Sequence, residues 1–281
     1  MEPRPVGAGR EYSDALGPVA ILRSEFDERN LVVAHRGASS AEPENTVVAF
    51  EAAIRAGADV IELDVRLTAD GIPVILHDPD VSSTTDGAGQ VHTLALDEVK
   101  RLDASGDRPG HQEIPTLDEA LEAIGADGRV AVDLEIKNIP GEPAFDSPDE
   151  GVLRATLRAL EDAAFPGPIL ISSFNWITIE RSKELAPDVP TGFLSVGAMD
   201  PHATLVYARQ FGHDFVLPQS TALLEAGEGF VEEAHREGVR VGTWTVDDEG
   251  DLARLFGWGV DAIASNDPTL AVAVRDRVAP Q

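Results

Sequence analysis

Cysteine is absent from the 281 residues, and lysine occurs only as Lys100, Lys137 and Lys183. No run approaches the roughly 18 consecutive apolar residues of a membrane span. Without cysteine there are no disulfides, no thiolate metal ligands and no thiol nucleophile. The stretch Ala15 to Leu22 is short, is broken by Gly17-Pro18 and follows acidic residues, so it lacks the shape of a signal peptide and a cytoplasmic protein is expected. The scarcity of basic residues is one side of a strong imbalance: 50 Asp and Glu against 22 Lys and Arg give a formal charge of −28. Such a surface repels nucleic acid and anionic lipid, so neither a nucleic-acid partner nor stable membrane association is expected. It suits plain solubility, or a high-salt setting in which screening removes the self-repulsion. Composition sets no oligomeric state.

With 43% hydrophobic residues, the chain can bury a sizeable core. Its length admits two ordinary domains or one α/β barrel of about 250 residues. From residue 31 onward, short β-branched runs alternate with segments of helical period, the pattern of a parallel sheet with crossover helices. Eight strands are expected at Leu31 to His35, Val60 to Val65, Val130 to Ile136, Ile169 to Ser172, Thr191 to Leu194, Phe215 to Leu217, Arg240 to Thr245 and Val260 to Ala264. Helices follow, for instance Asn45 to Ala56, Pro148 to Ala163, Trp176 to Leu185 and Phe230 to Glu237. The second strand is followed instead by an apolar run ending at His77 and a Gly/Thr/Asp-rich stretch, read as an insertion at about 78–115; Leu117 to Ile124 is that unit's helix. No glycine-rich phosphate fingerprint follows the first strand, which disfavours an open doubly wound sheet. The expected architecture is therefore a (β/α)8 barrel over 31–281, preceded by an extension over 1–30.

In such a barrel the chemistry sits at the C-terminal ends of the strands. Here those ends carry His35 and Arg36, Glu62 and Asp64, Glu135 and Lys137, and Trp244, while His77 closes the extra run. Glu62 and Asp64 stand two apart on one strand and share a face, the barrel interior or its mouth. Buried like charges need a proton, a base or a cation. With Glu135 on the next barrel strand there are three oxygen ligands, a set that favours Mg²⁺ or Ca²⁺ over zinc. His35 and His77 could be zinc ligands, core histidines or an acid/base pair, and their place at strand ends favours the last. Arg36 and Lys137 supply positive charge for a phosphate, or pair with the carboxylates. A metal, two histidines and two cations around one mouth suit phosphodiester hydrolysis.

At this point the sequence resembles a known family. His35-Arg36-Gly37, Pro43-Glu44-Asn45-Thr46, Glu62-Leu63-Asp64-Val65, Thr68-Ala69-Asp70-Gly71, His77-Asp78, Thr84-Thr85-Asp86-Gly87, Ile114-Pro115-Thr116-Leu117, Glu135-Ile136-Lys137, Ser173-Phe174 and Trp244-Thr245-Val246 occur in the order found in glycerophosphodiester phosphodiesterases. The resemblance spans about Val32 to Pro268. It implies a TIM barrel with a small insertion after the second strand, His35 and His77 as general acid and base, Glu62, Asp64 and Glu135 as ligands of Mg²⁺ or Ca²⁺, and Arg36 and Lys137 on the phosphate. It implies release of sn-glycerol 3-phosphate and an alcohol from small glycerophosphodiesters, by direct water attack or through a cyclic phosphate. The alternatives are a lysophospholipase D or related cyclising phosphodiesterase, and a non-catalytic phosphodiester-binding barrel. Trp244 is expected to line the pocket for the glycerol or alcohol portion, or to face the barrel core. Glu44 and Asn45 are expected either to cap the first helix or to contact Arg36. Three positions depart from what many members carry: Ser83 replaces an Arg, Asp247 an Asn, and Ser265-Asn266 a Thr-Asp pair. These departures are expected to leave the metal and acid/base residues untouched.

Overall fold

Period-two alternation decides which way each strand's side chains face, and in this chain it separates two chemically different sides. In β1 (Leu31–His35) the outward Val32 and Ala34 are fully buried against helices, while Leu31, Val33 and His35 face inward. In β2 (Val60–Leu67) the outward positions are Ile61, Leu63 and Val65, all with no exposed surface; the inward ones include Val60 and Glu62. The computed structural model describes residues 30–126, 128–147 and 149–278. The extension expected over 1–30 therefore lies, apart from Asn30, outside the described residues, as does the expected helix start at Pro148.

After β2 come β3 (Pro73–Ile75), β4 (Ala131–Ile136), β5 (Ile169–Ser173), β6 (Thr191–Ser195), β7 (Phe215–Pro218), β8 (Arg240–Thr243) and β9 (Ala262–Ser265). The sheet order β1-β9-β8-β7-β6-β5-β4-β2 closes through a β1–β2 pairing, and every one of those pairs is parallel. The eight-stranded barrel expected from the alternation is the fold. Register fixes what meets what: His35 stands beside Glu62, Glu62 beside Asp133, and Asp64 beside Glu135.

The helices are α1 (Val47–Ala56), α2 (Leu96–Val99), α3 (Leu117–Gly125), α4 (Gly151–Ala163), α5 (Trp176–Leu185), α6 (Pro201–Phe211), α7 (Ser220–Ala226), α8 (Glu228–Arg236), α9 (Glu249–Gly257) and α10 (Pro268–Val278). Several details differ from the expectation. The helix placed at Asn45 begins at Val47, because Thr46 is the residue whose side chain accepts from the Ala49 N–H. The run ending at His77 contains a true strand, β3, antiparallel to β2. Two short helices, α7 and α8, occupy the place of one, divided by Gly227 at φ +82°. Strand β8 stops at Thr243 rather than Thr245, since the Trp244 indole turns to donate to the Leu217 carbonyl (2.9 Å).

Between β3 and α3 the chain folds over its own small core of Val74, Leu76, Val81, Val91, Val99, Ala104 and Ile114. At the opposite end of the chain, Arg275 of α10 pairs with Asp59, which also accepts from the Val32 N–H at 2.9 Å. Both side chains are at most one-tenth exposed, so this pair ties the last helix to the start of β2. Removing Arg275 takes from the buried Asp59 carboxylate its short charged contact with the last helix. Arg275→Ala is expected to destabilise the fold by about 3–5 kcal/mol in urea unfolding, against under about 1 kcal/mol for an exposed pair such as Arg55–Glu51.

Candidate active site

Strand β1 ends in a tight reversal. Arg36 and Gly37 both take left-handed backbone (φ +57° and +82°), and a Cβ on Gly37 would stand 2.7 Å from the Ala49 carbonyl carbon, which restricts the position to glycine. The turn aims the Arg36 N–H at Glu62 Oε2 (2.8 Å) and brings its guanidinium to Asp64 Oδ2 (Nε, 3.3 Å) and Glu44 Oε1 (Nη1, 3.0 Å). Asn45, also left-handed, donates from Nδ2 to Asp64 Oδ2 at 2.8 Å. Glu44 thus contacts Arg36 and Asn45 contacts Asp64, while the helix cap belongs to Thr46.

Glu62, Asp64 and Glu135 are buried and offer ligand oxygens all within 4.8 Å of one another. Lys137, itself 5% exposed, places Nζ 2.6 Å from Glu135 Oε1 and 2.9 Å from Asp64 Oδ1. Asp133 adds a fourth buried carboxyl on the same inward face, two residues before Glu135 and beside Glu62. Four carboxyls (Glu62, Asp64, Asp133, Glu135) therefore face two cations (Arg36, Lys137). Burial, reinforced by Asp64 and Glu135, pushes Glu62 well above the usual carboxyl range. Burial pushes Glu135 up to about 7 against the pull of Lys137. Asp64 goes the other way: burial is outweighed by Lys137 and Arg36 together, which hold it ionised. Glu62 Oε1 is buried without a hydrogen-bond partner. An orphaned carboxylate oxygen, in a cluster where crowding and burial drive Glu62 and Glu135 to hold protons that a metal would replace, fits a hard divalent cation.

The histidines flank this cluster with different partners. His35 Nδ1 lies 2.8 Å from Asn266 Oδ1. Burial, with Arg36 adding to it, lowers its pKa to about 4, so it is neutral near pH 7. His77 Nδ1 lies 2.7 Å from the Asp78 carboxylate, whose other partner is the Ser83 hydroxyl. Burial lowers His77 too, against the pull of Asp64. The backbone of His77 is held by Arg66 Nε (2.8 Å), which is gripped in turn by Glu142 (2.6 and 3.2 Å). The loop after Lys137 is therefore fastened to β2.

All eight residues singled out in the sequence come together. His35, Arg36, Glu62, His77, Glu135 and Trp244 line one cavity of about 220 Å³, and Lys137 lies against it. Trp244 meets Phe174 edge-on at 5.2 Å, so it both walls the cavity and packs on the barrel core. Lys137 Nζ is 6.0 Å from the Phe174 ring centre. Below the polar rim the walls are Leu31, Val33, Val60, Leu170, Phe215 and Leu217. Asp133 was missed, although its alternation with Glu135 marks it as inward-facing. The expectation that the three departures leave the histidines untouched is overturned. Ser83 bonds the partner of His77, Asn266 bonds His35 directly, and Asp247 accepts from Asn266 Nδ2 at 2.7 Å.

With this geometry in hand, the comparisons with known proteins are decisive. Residues 35–270 match the model of the glycerophosphoryl diester phosphodiesterase family. This chain belongs to that family. A glycerophosphodiester phosphodiesterase of Caldanaerobacter subterraneus subsp. tengcongensis is 38% identical over 256 residues, covering 88% of this chain and 98% of its own. Among solved structures, a phosphodiesterase of Oleispira antarctica in complex with the product sn-glycerol-3-phosphate superposes with a TM-score of 0.79 at 31% identity, over 88% of this chain and 97% of that one. A putative glycerophosphoryl diester phosphodiesterase of Silicibacter pomeroyi gives 0.78 at 25%, over 96% and 98%. The chain is accordingly an enzyme, a phosphodiesterase of glycerophosphodiesters, built on a TIM barrel.

Asp133 yields a test of this electrostatic picture. Burial, opposed by a Ser172 hydrogen bond and reinforced by Glu135 and Asp64, lifts its carboxyl from 3.8 to about 7. Folding thus raises its proton affinity, so its favourable contribution is complete below the unfolded value and lost as pH rises through about 7. In chelator, Asp133→Asn is expected to raise unfolding stability more at pH about 8 than at pH about 5, by on the order of 2 kcal/mol. An equal change at both pH values would contradict it.

Proposed function

We propose that the site hydrolyses small glycerophosphodiesters to sn-glycerol 3-phosphate and a free alcohol, with Mg²⁺ or Ca²⁺ held by Glu62, Asp64 and Glu135. The observation that carries the reading is the placement of two histidines with separate hydrogen-bond partners around three buried carboxylates. When bound, the cation would supply positive charge next to the phosphoryl group. Arg36 and Lys137 add fixed positive charge at the same mouth, where excluded water makes it count for more. One histidine takes a proton from the attacking hydroxyl, and the other gives one to the departing alkoxide. The attacking hydroxyl belongs either to water or to the substrate's own glycerol, the latter route closing a cyclic phosphate that water then opens. The product bound by the Oleispira antarctica relative supports the glycerol phosphate half of the substrate. The acidic surface favours deacylated, soluble substrates such as glycerophosphocholine or glycerophosphoethanolamine over anionic membranes.

A second substrate class has one observation in its favour. Trp176 and Ile177 after β5, and Val196 and Met199 after β6, are exposed at the end of the barrel that bears the site. Such a rim suits the acyl chain of a lysophospholipid, hydrolysed by the same apparatus as in a lysophospholipase D.

Release of sn-glycerol 3-phosphate from glycerophosphocholine, and of free choline from lysophosphatidylcholine, tests the two readings. Chelation is expected to abolish activity and added Mg²⁺ or Ca²⁺ to restore it; His77→Ala is expected to lower kcat by about 10²–10⁴-fold. Activity indifferent to chelator would remove the cation, and activity surviving His77→Ala would remove the proton carrier.

A further inference from the structure

The two histidines are not held alike. His77 faces a carboxylate, whereas His35 faces the side-chain amide of Asn266, an amide that could in principle present either oxygen or nitrogen to the ring. Asp247 removes that freedom. Its Oδ2 accepts from Asn266 Nδ2 at 2.7 Å and its Oδ1 accepts from the Asn266 backbone N–H at 2.8 Å. The Ser265 hydroxyl donates to the same Oδ1 at 2.9 Å. An ionised carboxylate has no hydrogen to give, so it can bind only the NH₂ end of the amide. The carbonyl end must then face His35 Nδ1. The Ser39 hydroxyl lies 2.8 Å from the His35 carbonyl and 3.0 Å from Asn266 Oδ1, with its single hydrogen shared between the two acceptors. A carbonyl oxygen accepts only, and therefore the hydrogen of the neutral ring sits on Nδ1.

We propose that Asp247 and Asn266 are a pair of positioning residues that set the tautomer of His35, keeping Nδ1 protonated and leaving Nε2 with its lone pair for the substrate. Neither residue touches the reacting atoms. They act through the ring, as the orienting partner of a catalytic histidine does generally. The carboxylate stands one residue further from the ring than Asp78 stands from His77. His35 is thus oriented through an amide and His77 through a carboxylate. The same logic says that the two side chains are one unit. Exchanging them should keep the hydrogen-bond sequence, with a carboxylate at 266 accepting from His35 and an amide at 247 donating to it.

The inference rests on His35 carrying a proton, and His35→Ala tests that separately. Activity retained in His35→Ala would sink the proposed function. Loss in His35→Ala with wild-type behaviour in the 247 and 266 variants would sink only the positioning pair. Asn266→Asp sets two carboxylates against each other, and Asn266→Ala frees the ring. Each is expected to lower kcat at least about ten-fold, with KM moving less than about three-fold. The exchanged double variant, Asp247→Asn with Asn266→Asp, is expected to recover well above Asn266→Asp, a non-additive result characteristic of a coupled pair. A double variant no better than Asn266→Asp, or a loss confined to KM, would overturn the proposal. Thermal melting checks that each variant folds. Long-range nitrogen–proton NMR of the labelled His35 ring reads the tautomer directly: Nδ1–H in the wild type and a mixture in Asn266→Ala are expected, and identical spectra would overturn it.

Discussion

The charge balance inside the barrel mouth is the constraint on which the rest of the site depends. Parallel strands project alternate residues inward, and β2 and β4 spend those positions on Glu62, Asp64, Asp133 and Glu135. Lys137 answers Asp64 and Glu135, and Arg36 answers Asp64. Ionised together, the four carboxyls would leave more negative than positive charge in a place with little water, which is why Glu62, Asp133 and Glu135 are pushed toward the protonated form. A barrel built only for stability would fill these positions with branched aliphatic residues, as the layers below do with Val33, Val60 and Leu170. The exposed Asp and Glu that make the surface acidic can be solvated; the ones in the mouth cannot. Their retention makes physical sense if a cation completes the set.

Positioning follows from the same economy of charge. Arg36 is committed to Asp64 and Glu44, and its left-handed backbone points its own N–H at Glu62. Asn45 takes an Asp64 oxygen that would otherwise be bare. The groups proposed to handle the phosphate are thus fixed before any substrate arrives, which is the condition under which electrostatic stabilisation costs no reorganisation. Arg66 and Glu142 extend the framework to the loop after β4 and to the backbone of His77.

Much of this was legible in the sequence because strand alternation is a local signal. Glu62 and Asp64 interrupt a hydrophobic run at spacing two, and Glu135 and Lys137 repeat the pattern, so their shared face was readable. Asp133 obeyed the same spacing and was passed over. The rest depended on contacts between residues far apart in the chain. His35 and Asn266 are 231 residues apart, and only barrel closure through β1 and β9 makes them neighbours. The supposed independence of Asp247 and Asn266 from His35 failed for that reason: local sequence cannot report a partner supplied across a closed barrel. The helix starts at Val47 with Thr46 as its cap, not at Asn45, whose side chain is used by Asp64.

The central claim is that the buried carboxylates, which Arg36 and Lys137 alone do not keep ionised together, take a hard divalent cation. Calorimetric titration of Mg²⁺ and Ca²⁺ into chelator-treated protein addresses it most directly. Saturable binding to the wild type, weakened at least about ten-fold in Glu62→Gln and in Glu135→Gln, is expected. No saturable binding by the wild type, or the same affinity in both variants, would contradict it.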